Sequence, residues 1–275
     1  MTRRSLTGLS IVVIGGGSGI GRETALVLAR SGARVGVGDR AADAASAVAA
    51  EISPTTFSAP VDVTDPASLA AFRDAAEGAL GPLDAVVCSA GIMWVGPFEE
   101  ETDAQAQAQV AVNLMGVIHT TRAFAPAMRA RRRGHLLILA SAASFLPTPG
   151  EATYAASKHG VLGYLKAVRT ELRGSGVQIS AIMPTVVATP LAAGTSTGSA
   201  KMLQPSDVAE MVARTIRRPR FEVMMPWYLG PARKLVDLLP QALKDRVMLA
   251  LVPDQVRSVD RGARESYEKA SFDAA

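Results

Sequence analysis

Short runs of β-branched and other apolar residues alternate with longer alanine-rich segments along most of this 275-residue chain. Seven such runs predict strands, at Ser10–Ile14, Arg34–Gly38, Thr55–Val61, Leu83–Cys88, Gly134–Leu139, Val177–Ile182 and Phe221–Met225. Helical patterns lie between them, near residues 19–31, 41–52, 66–80, 103–132, 153–174 and 205–217. Several strand runs are almost continuously apolar, as in strands that are covered on both faces. This alternation predicts an α/β fold with a single, doubly wound parallel sheet.

The amino-acid composition changes near residue 225, which divides the chain into two predicted regions. Residues 1–225 hold the Rossmann-type sheet with helices on both faces, and residues 226–275 form a helical C-terminal extension packed on or near it. The extension mixes leucine and valine with arginine and lysine in amphipathic patterns. Such patterns suit a cap over a pocket, an oligomer interface or contact with a membrane surface. The moderate charge favours the two packing roles.

Small residues dominate the stretch Ala192–Ser199, which lies within the first predicted region. The stretch predicts either a mobile loop beside a ligand site or a disordered insertion. Its position after the carboxyl end of a predicted strand favours the loop, because folds of this class bind ligands at that edge of the sheet.

Charge, cysteine and histidine content argue against several classes of protein. The formal net charge is +4, and the densest basic run, Arg129–Arg133, ends a helical pattern, where cations complement the helix dipole. Cys88 is the single cysteine and lies in an apolar run, as expected of a buried residue in a reducing compartment. No stretch reaches the ~18 apolar residues that span a bilayer, and the histidines lack metal-ligand spacing. We therefore expect a cytoplasmic protein with no metal and no nucleic-acid partner.

A glycine-rich turn follows the first predicted strand and opens the first predicted helix. Gly15, Gly19 and Gly21 fit the spacing G-x-x-x-G-x-G, with Ser18 just before Gly19 and Ile20 just after it. Glycines at these points let the backbone approach a pyrophosphate, which then lies at the positively polarised N-terminus of the helix. The turn therefore predicts a dinucleotide site that these five residues form.

An aspartate and an arginine end the second predicted strand, about 20 residues after the turn. A carboxylate at this position accepts hydrogen bonds from the adenosine ribose and repels a 2′-phosphate, so Asp39 favours NAD. Arg40 beside it could hold that phosphate, which keeps NADP open. A helix-capping aspartate with a solvated arginine would give the same pattern. NAD is thus the preferred cofactor and NADP the alternative.

Ser141, Tyr154 and Lys158 form a third candidate group. Tyr154 and Lys158 stand four residues apart in a helical pattern, so their side chains share one face. An ammonium near a phenol favours the phenolate and lowers the phenol pKa from ~10 towards neutrality. This spacing makes Tyr154 a candidate general acid/base.

These residues resemble the pattern of the short-chain dehydrogenase/reductase family over about residues 8–225. Ser141 precedes Tyr154 by 13 residues, as it does in the family. Further matches occur, in chain order, at Asp62–Val63, Ser89–Ala90–Gly91, Asn113 and Pro184–Thr189. The chain departs from the usual family residues at Ile14 (threonine), Ser89 (asparagine) and Thr185 (glycine). These departures lie at scaffold positions around the expected cofactor.

The resemblance implies a role for each matched residue. Tyr154 is the implied general acid/base, and Lys158 lowers its pKa and binds the nicotinamide ribose. Ser141 donates a hydrogen bond to the substrate oxygen as negative charge develops there. Asn113 helps to hold a water that links Lys158 to solvent. The resemblance adds these cofactor-binding residues: Asp62, Val63, Ala90, Gly91, Pro184, Val187 and Thr189.

The sequence thus predicts an oxidoreductase that transfers a hydride between NAD(P) and an alcohol or carbonyl compound, with a lipophilic substrate favoured. Met93, Trp94 and Phe145 lie at predicted strand ends and suit pocket lining or ordinary packing equally. The resemblance implies a homodimer or homotetramer formed through the helices at 103–132 and 153–174.

Two other functions stay open. One is a nucleotide-sensing or scaffolding protein that has lost the reaction, against which the intact Ser141, Tyr154 and Lys158 argue. The other is a peripheral membrane enzyme whose C-terminal extension reaches lipid-borne substrates.

Overall fold

Seven strands form one sheet in the computed structural model. They are β1 Ser10–Ile14, β2 Arg34–Asp39, β3 Phe57–Pro60, β4 Ala85–Cys88, β5 Gly134–Leu139, β6 Val177–Pro184 and β7 Glu222–Met225. Their order is β3-β2-β1-β4-β5-β6-β7, and all neighbours pair in parallel. Every predicted strand is present, which confirms the doubly wound parallel sheet.

The structure describes residues 5–198 and 201–272. Residues 1–4 of the first predicted region and residues 273–275 of the second therefore lie outside the described residues. Ser199, the last residue of the predicted loop, also lies outside them. Over the remainder, the described chain alternates strand and helix up to β7 and is helical beyond it.

Helices cover both faces of the sheet. They are α1 Gly19–Arg30, α2 Ala42–Ile52, α3 Pro66–Leu80, α4 Asp103–Gln109, α5 Gly116–Ala130, α6 Ala152–Glu171, α7 Pro205–Arg217, α8 Leu229–Asp237, α9 Gln241–Leu251, α10 Gln255–Ser258 and α11 Arg261–Phe272. Alternate residues of a strand face opposite sides of a sheet. In β1, Val12 and Ile14 join a buried cluster with α3, α5 and α6, whereas Ile11 and Val13 join one with α1, α2 and α7. This division confirms the predicted layers.

The long helix predicted over residues 103–132 is interrupted. A six-residue π-helical segment, Val110–Met115, separates α4 from α5. A π-helical turn closes a larger hydrogen-bonded ring than an α-helical turn, and such turns are frequent at functional sites. The segment contains Asn113, which is fully buried. Because its residues keep a helical hydrophobic pattern, the sequence did not indicate the change.

The predicted helical C-terminal segment is present as α8–α11. Leucines of α8 and α9 remain largely exposed, including Leu235 and Leu249. In contrast, α11 buries a charged residue, Arg264. None of the helices in the described ranges combines the length and the apolar character that a membrane crossing requires.

Replacing Phe72 with alanine tests the packing of α3 against the sheet. The ring is 1% exposed and lies under Gly38, where an added Cβ would be 2.7 Å from it. Loss of this ring leaves a cavity, so we expect the free energy of unfolding to fall by about 3–5 kcal/mol in equilibrium urea unfolding. Phe98→Ala is the matched control. Phe98 is 75% exposed, and a change of less than about 0.5 kcal/mol is expected there. Equal losses in both variants would contradict the packing.

Candidate active site

The strand order reverses beside β1, which has β2 on one side and β4 on the other. Loops at the carboxyl ends of the strands diverge at such a point and leave a crevice. A cavity of about 270 Å³ opens there. The predicted site residues that line it are Ile20, Gly91, Ser141, Tyr154, Lys158, Pro184, Val187 and Thr189. Residues far apart in the sequence thus meet at one edge of the sheet.

The glycine-rich turn between β1 and α1 brings backbone close to backbone. Gly15 has φ of 74°, and a Cβ there would lie 2.5 Å from the backbone nitrogen of Ala90. A Cβ on Gly21 would lie 1.9 Å from the carbonyl oxygen of Gly15. Ser18 precedes α1 without capping it through its side chain, so the first N–H groups of the helix stay available to an anion. The turn therefore fits the pyrophosphate of a dinucleotide.

Asp39 ends β2 and faces the glycine-rich turn. Its carboxylate accepts hydrogen bonds from the backbone N–H of Gly17, at 2.9 Å, and of Ala41, at 3.0 Å. A Cβ on Gly17 would lie 2.9 Å from the same carboxylate. Arg40, the next residue, is exposed. The carboxylate is thus held at the position where the sequence places a ribose.

Asp62 and Val63 follow β3, beside the end of β2. The Asp62 carboxylate accepts hydrogen bonds from the backbone N–H and the hydroxyl of Thr64, at 2.8 and 2.7 Å. Val63 is buried, and an added Cβ on Gly116 would lie 2.7 Å from its side chain. Close packing of α5 on Val63 therefore fixes this corner of the site.

Asn113 joins the loop after β4 to α6. Its amide donates to the carbonyl of Ile92 at 2.8 Å and to the Ser157 hydroxyl at 3.2 Å, and it accepts from the Ile92 N–H at 2.9 Å. A Cβ on Gly91 would lie 3.3 Å from the Asn113 oxygen and 3.5 Å from Lys158 Nζ. The π-helical segment thus brings a polar side chain under the site. The role of Asn113 in a proton relay stays a prediction.

Ser141, Tyr154 and Lys158 come together from β5 and α6. Ser141 caps a short 3₁₀ turn after β5, and its hydroxyl oxygen accepts from the backbone N–H of Ala143 at 3.1 Å. Lys158 Nζ lies 5.5 Å from the centroid of the Tyr154 ring and donates to the carbonyl of Leu139 at 3.2 Å. Tyr154 and Lys158 are both buried, yet both line the cavity. A hydroxyl pair and an ammonium therefore face one enclosed space.

Burial shifts the pKa values of Tyr154 and Lys158 towards their neutral forms. Desolvation raises the pKa of Tyr154, and the hydrogen bond with Ser141 offsets this only in part. Desolvation lowers the pKa of Lys158 to about 8, against an opposing effect of Cys88. The role of Lys158 in lowering the pKa of Tyr154 stays a prediction, because the side chains that shift the Tyr154 pKa here are Ser141, Glu151 and Tyr267. For Tyr154 and for Lys158, the cost of removing the charged form from water is the largest effect on the pKa.

The segment after β6 closes over the glycine-rich turn. Val187 is buried and forms an isolated parallel bridge with Leu203. A Cβ on Gly19 would lie 3.2 Å from Cγ2 of Thr189. Thr185, which replaces the usual glycine, lines the cavity and donates its backbone N–H to Met225 at 2.9 Å. The Thr185 hydroxyl is buried and has no hydrogen-bond partner among the described residues.

Several residues around the cavity were missed by the sequence analysis. Glu151 and Gln255 line the cavity and are buried, and burial raises the pKa of Glu151 to about 7. Glu151 precedes Tyr154 by three residues, a helical spacing that could have placed it on the same face. Arg264 and Tyr267 of α11 contact the backbone of two lining residues, Met93 and Leu191, and no local sequence pattern predicts these contacts.

The sequence suits Met93, Trp94 and Phe145 equally to pocket lining and to ordinary packing. In the structure, Met93 and Phe145 line the cavity. Trp94 is buried and is not among the lining residues that the structure describes. Its backbone N–H donates to Gln109 at 3.0 Å, which ties the loop after β4 to α4. Trp94 therefore serves ordinary packing.

Comparisons with known proteins agree with this arrangement. The chain matches the short chain dehydrogenase family over residues 10–200. It is 33% identical over 240 residues to the glycine betaine reductase ATRR of Emericella nidulans, which covers 82% of this chain and 19% of that protein. It is 32% identical over 242 residues to an uncharacterized oxidoreductase of Myxococcus xanthus, covering 85% and 94%. The chain therefore belongs to the short-chain dehydrogenase/reductase family of oxidoreductases.

Solved structures show the same fold. A metagenomic short-chain oxidoreductase in complex with NADP is 32% identical, with a TM-score of 0.69 over 80% of this chain and 96% of that chain. A short chain dehydrogenase/reductase from Burkholderia phymatum in complex with NAD is 24% identical, with a TM-score of 0.78 over 91% and 98%. The second likeness bears on the fold alone.

The lowered pKa of Lys158 predicts a pH-dependent stability. Below about pH 8 the folded protein buries a charged ammonium, and this penalty declines as pH rises from 8 towards the ordinary lysine value of 10.5, because the unfolded chain then binds more protons. We compare the free energy of unfolding of the wild type with that of Lys158→Met. The wild-type value, relative to that of the variant, should rise by about 2 kcal/mol between pH 8 and pH 9.5. Equilibrium urea unfolding measures this. Lys166→Met is the control, because Lys166 lies on the same helix and is more exposed. If the stability difference from the wild type changed with pH equally in both variants, the effect of burying Lys158 would be contradicted.

Proposed function

We propose that this protein is an NAD(P)-dependent oxidoreductase that transfers a hydride between the nicotinamide and an alcohol or carbonyl compound, with Tyr154 as general acid/base. One observation carries the proposal. Ser141, Tyr154 and Lys158 line one cavity beside the glycine-rich turn, with Lys158 Nζ 5.5 Å from the centroid of the Tyr154 ring. Proton transfer and cofactor binding thus share one space.

When bound, the dinucleotide supplies or accepts the hydride. Tyr154 donates its proton to the substrate oxygen during reduction and takes it back during oxidation. Ser141 donates a hydrogen bond to the same oxygen, where negative charge develops. Lys158 holds the nicotinamide ribose and, while protonated, favours the phenolate of Tyr154. Asn113 supports this group through its bonds to Ile92 and Ser157 and, we propose, helps to hold the water of a proton relay.

The proposed cofactor site runs along the carboxyl edge of the sheet. The N-terminus of α1 would hold the pyrophosphate. Asp39 would bind the adenosine ribose, and Pro184, Val187 and Thr189 would contact the nicotinamide. The residues that we propose to hold the cofactor are Gly15, Ser18, Gly19, Ile20, Gly21, Asp39, Arg40, Asp62, Val63, Ala90, Gly91, Tyr154, Lys158, Pro184, Val187 and Thr189.

We propose NAD as the preferred form of the cofactor. The Asp39 carboxylate would accept from ribose hydroxyls and would repel a 2′-phosphate. Arg40 lies beside it, and the metagenomic relative at 32% identity was solved with NADP. These two facts support NADP as the alternative.

The proposed substrate is lipophilic. Most side chains that line the cavity are apolar, among them Met93, Phe145, Leu146, Leu191, Val236 and Met248. Such a lining favours a bulky alcohol or ketone over a small polar one. The charged side chains in the lining are confined, among the described residues, to Glu151, Lys158 and Arg233.

A peripheral membrane enzyme is a second candidate, because α8 and α9 expose leucines next to side chains that line the cavity. Leu235, Leu238 and Leu249 are at least two-thirds exposed, whereas Val236 and Met248 face the cavity. Sedimentation with neutral and anionic liposomes tests this candidate. Equal, negligible binding by the wild type and by Leu238→Ser would exclude it.

Location and assembly are further proposals. We propose a cytoplasmic homodimer or homotetramer whose subunits meet through the α4–α5 region and α6. Val110 and Met115 expose more than a third of their surface in the segment between α4 and α5, which suits an interface. Sedimentation equilibrium measures the number of subunits.

A substrate panel tests the proposed reaction. Purified protein is mixed with NAD or NADP and a series of primary, secondary, cyclic and steroid-like alcohols, and with the reduced cofactors and the matching ketones. Absorbance of the reduced cofactor at its characteristic wavelength reports hydride transfer. Tight cofactor binding without turnover of any compound would favour the nucleotide-sensing alternative.

Tyr154→Phe tests the acid/base. The variant keeps the ring and removes the proton donor, so we expect cofactor affinity to change by less than about threefold and turnover to fall by about 10²–10⁴-fold. Steady-state kinetics and fluorescence titration of the reduced cofactor measure the two effects. Tyr164→Phe, on the same helix but outside the cavity lining, should behave as the wild type. Near wild-type turnover of Tyr154→Phe would refute the assignment.

Asp39→Ala tests the cofactor preference. Loss of the carboxylate removes acceptors for the ribose and the repulsion of a 2′-phosphate, so the affinity ratio of NAD to NADP should fall by about tenfold or more. Titration calorimetry with both dinucleotides measures this ratio. Asp43→Ala changes an exposed aspartate in the first turn of α2 and should leave the ratio unchanged. An unmoved ratio in Asp39→Ala would show that the ribose lies elsewhere.

A further inference from the structure

Arg264 of α11 is a buried charge that joins three separate segments of the chain. It is 1% exposed, and its guanidinium donates to the carbonyl of Met93 at 2.6 Å. It also donates to the carbonyls of Leu191, at 3.1 Å, and Ala193, at 2.9 Å. Glu268, one turn further along α11, pairs with it at 2.8 Å. One side chain thus links α11 with the loop after β4 and the loop after β6.

Other residues of the C-terminal segment contact the same two loops. The Tyr267 hydroxyl accepts from the backbone N–H of Met93 at 3.0 Å. Gln255 exchanges two hydrogen bonds with the backbone of Ser196, at 2.8 and 2.7 Å. The backbone N–H of Asp260 donates to the carbonyl of Gly194 at 2.9 Å. We call Gln255, Asp260, Arg264 and Tyr267 the C-terminal clamp.

Gly194 permits this close approach. It has φ of 70°, and an added Cβ would lie 2.3 Å from the carbonyl oxygen of Asp260 and 3.0 Å from the side chain of Arg264. The small residues of the stretch that the sequence predicts to be mobile or disordered therefore allow residues 192–198 to pack against the C-terminal segment. This loop is therefore a contact surface for the C-terminal segment.

The two loops that the C-terminal clamp joins are walls of the cavity. Met93 and Leu191 line it, and both pack in a cluster with Tyr154. Val259, from the C-terminal segment, packs against the same cluster. The C-terminal segment therefore touches the immediate surroundings of the proposed acid/base.

We propose that Arg264 is a positioning residue that holds the loops after β4 and β6 together and so sets the shape of the substrate end of the cavity. The structural part of this proposal stands on the contacts alone, and its effect on the reaction rests on the proposed function. A guanidinium suits the task because its planar fork presents donors in several directions at once. Burying such a charge only to stabilise the fold would be ineffective, since an apolar side chain of similar volume often serves as well.

Hydrogen exchange tests the structural part without any substrate. In Arg264→Met, the amides of Ala192, Ala193 and Thr195 and that of Met93 should exchange about tenfold faster or more, while amides of β1, β4 and β5 stay protected. Lys269→Met is the matched control, because Lys269 is an exposed basic residue in the last turn of the same helix. It should leave the exchange of both loops unchanged. Arg264→Lys keeps the charge without the fork and should give only partial protection.

Exchange that rises equally throughout the sheet would show a general loss of stability and overturn the proposal, as would unchanged loops in Arg264→Met or full protection in Arg264→Lys. If Arg264→Met does not fold, Arg264→Gln replaces it. Glutamine has one amide to offer to the three carbonyls, so exchange at Met93 and Ala193 should rise by about tenfold with little effect in the sheet. Unchanged exchange at both amides in Arg264→Gln would also overturn the proposal.

Kinetics test the effect on the reaction. With the best compound of the substrate panel, Arg264→Met should raise KM by about tenfold or more, leave kcat within about threefold and leave the affinity for reduced cofactor unchanged. If Arg264→Met showed faster exchange in the two loops but an unchanged KM, Arg264 would hold the loops without affecting substrate binding, and the part of the proposal that concerns the substrate would be refuted. If no panel compound is turned over, the proposed function fails, and the exchange experiment still decides whether Arg264 holds the loops.

Discussion

Parallel pairing of β1 with its two neighbours governs the rest of this structure. Right-handed crossovers carry the chain from β1 to β2 on one side and from β4 outward on the other, so helices fall on opposite faces of the sheet. The loops beyond β1 and β4 must then separate, and a crevice opens at their carboxyl ends. Glycine at positions 15 and 21 is required because the backbone segments at this crevice approach more closely than any Cβ allows.

Two buried polar groups shape the chemistry of the crevice. Lys158 is enclosed with one carbonyl oxygen as its hydrogen-bond acceptor, which leaves its ammonium weakly solvated and easily deprotonated. Asn113 lies beneath it in the π-helical segment and uses its amide to fix the loop after β4. The same loop carries Met93, which the C-terminal clamp holds from the other side. Rigid support therefore reaches the site from both the interior and the C-terminal segment.

The fold could be predicted from the sequence because its strands are short apolar runs separated by glycine and helical periodicity. The positions of Ser141, Tyr154 and Lys158 could also be predicted, since an ordered series of motifs fixed them together. Three features could not. The π-helical segment keeps a helical hydrophobic pattern, and the pKa of Tyr154 depends on desolvation that spacing alone does not reveal. The contacts of Arg264 join segments with no common pattern.

The contacts of Arg264 also bear on how opening of one part of the chain spreads to another. Arg264 and Met93 are 171 residues apart in the sequence, and Arg264 and Leu191 are 73 apart. Neither pair belongs to the hydrogen-bonded sheet, whose strands pair with one another independently of α11. Local opening of α11 would therefore free two loops that are remote from it in the sequence, while the parallel sheet beneath them stayed paired.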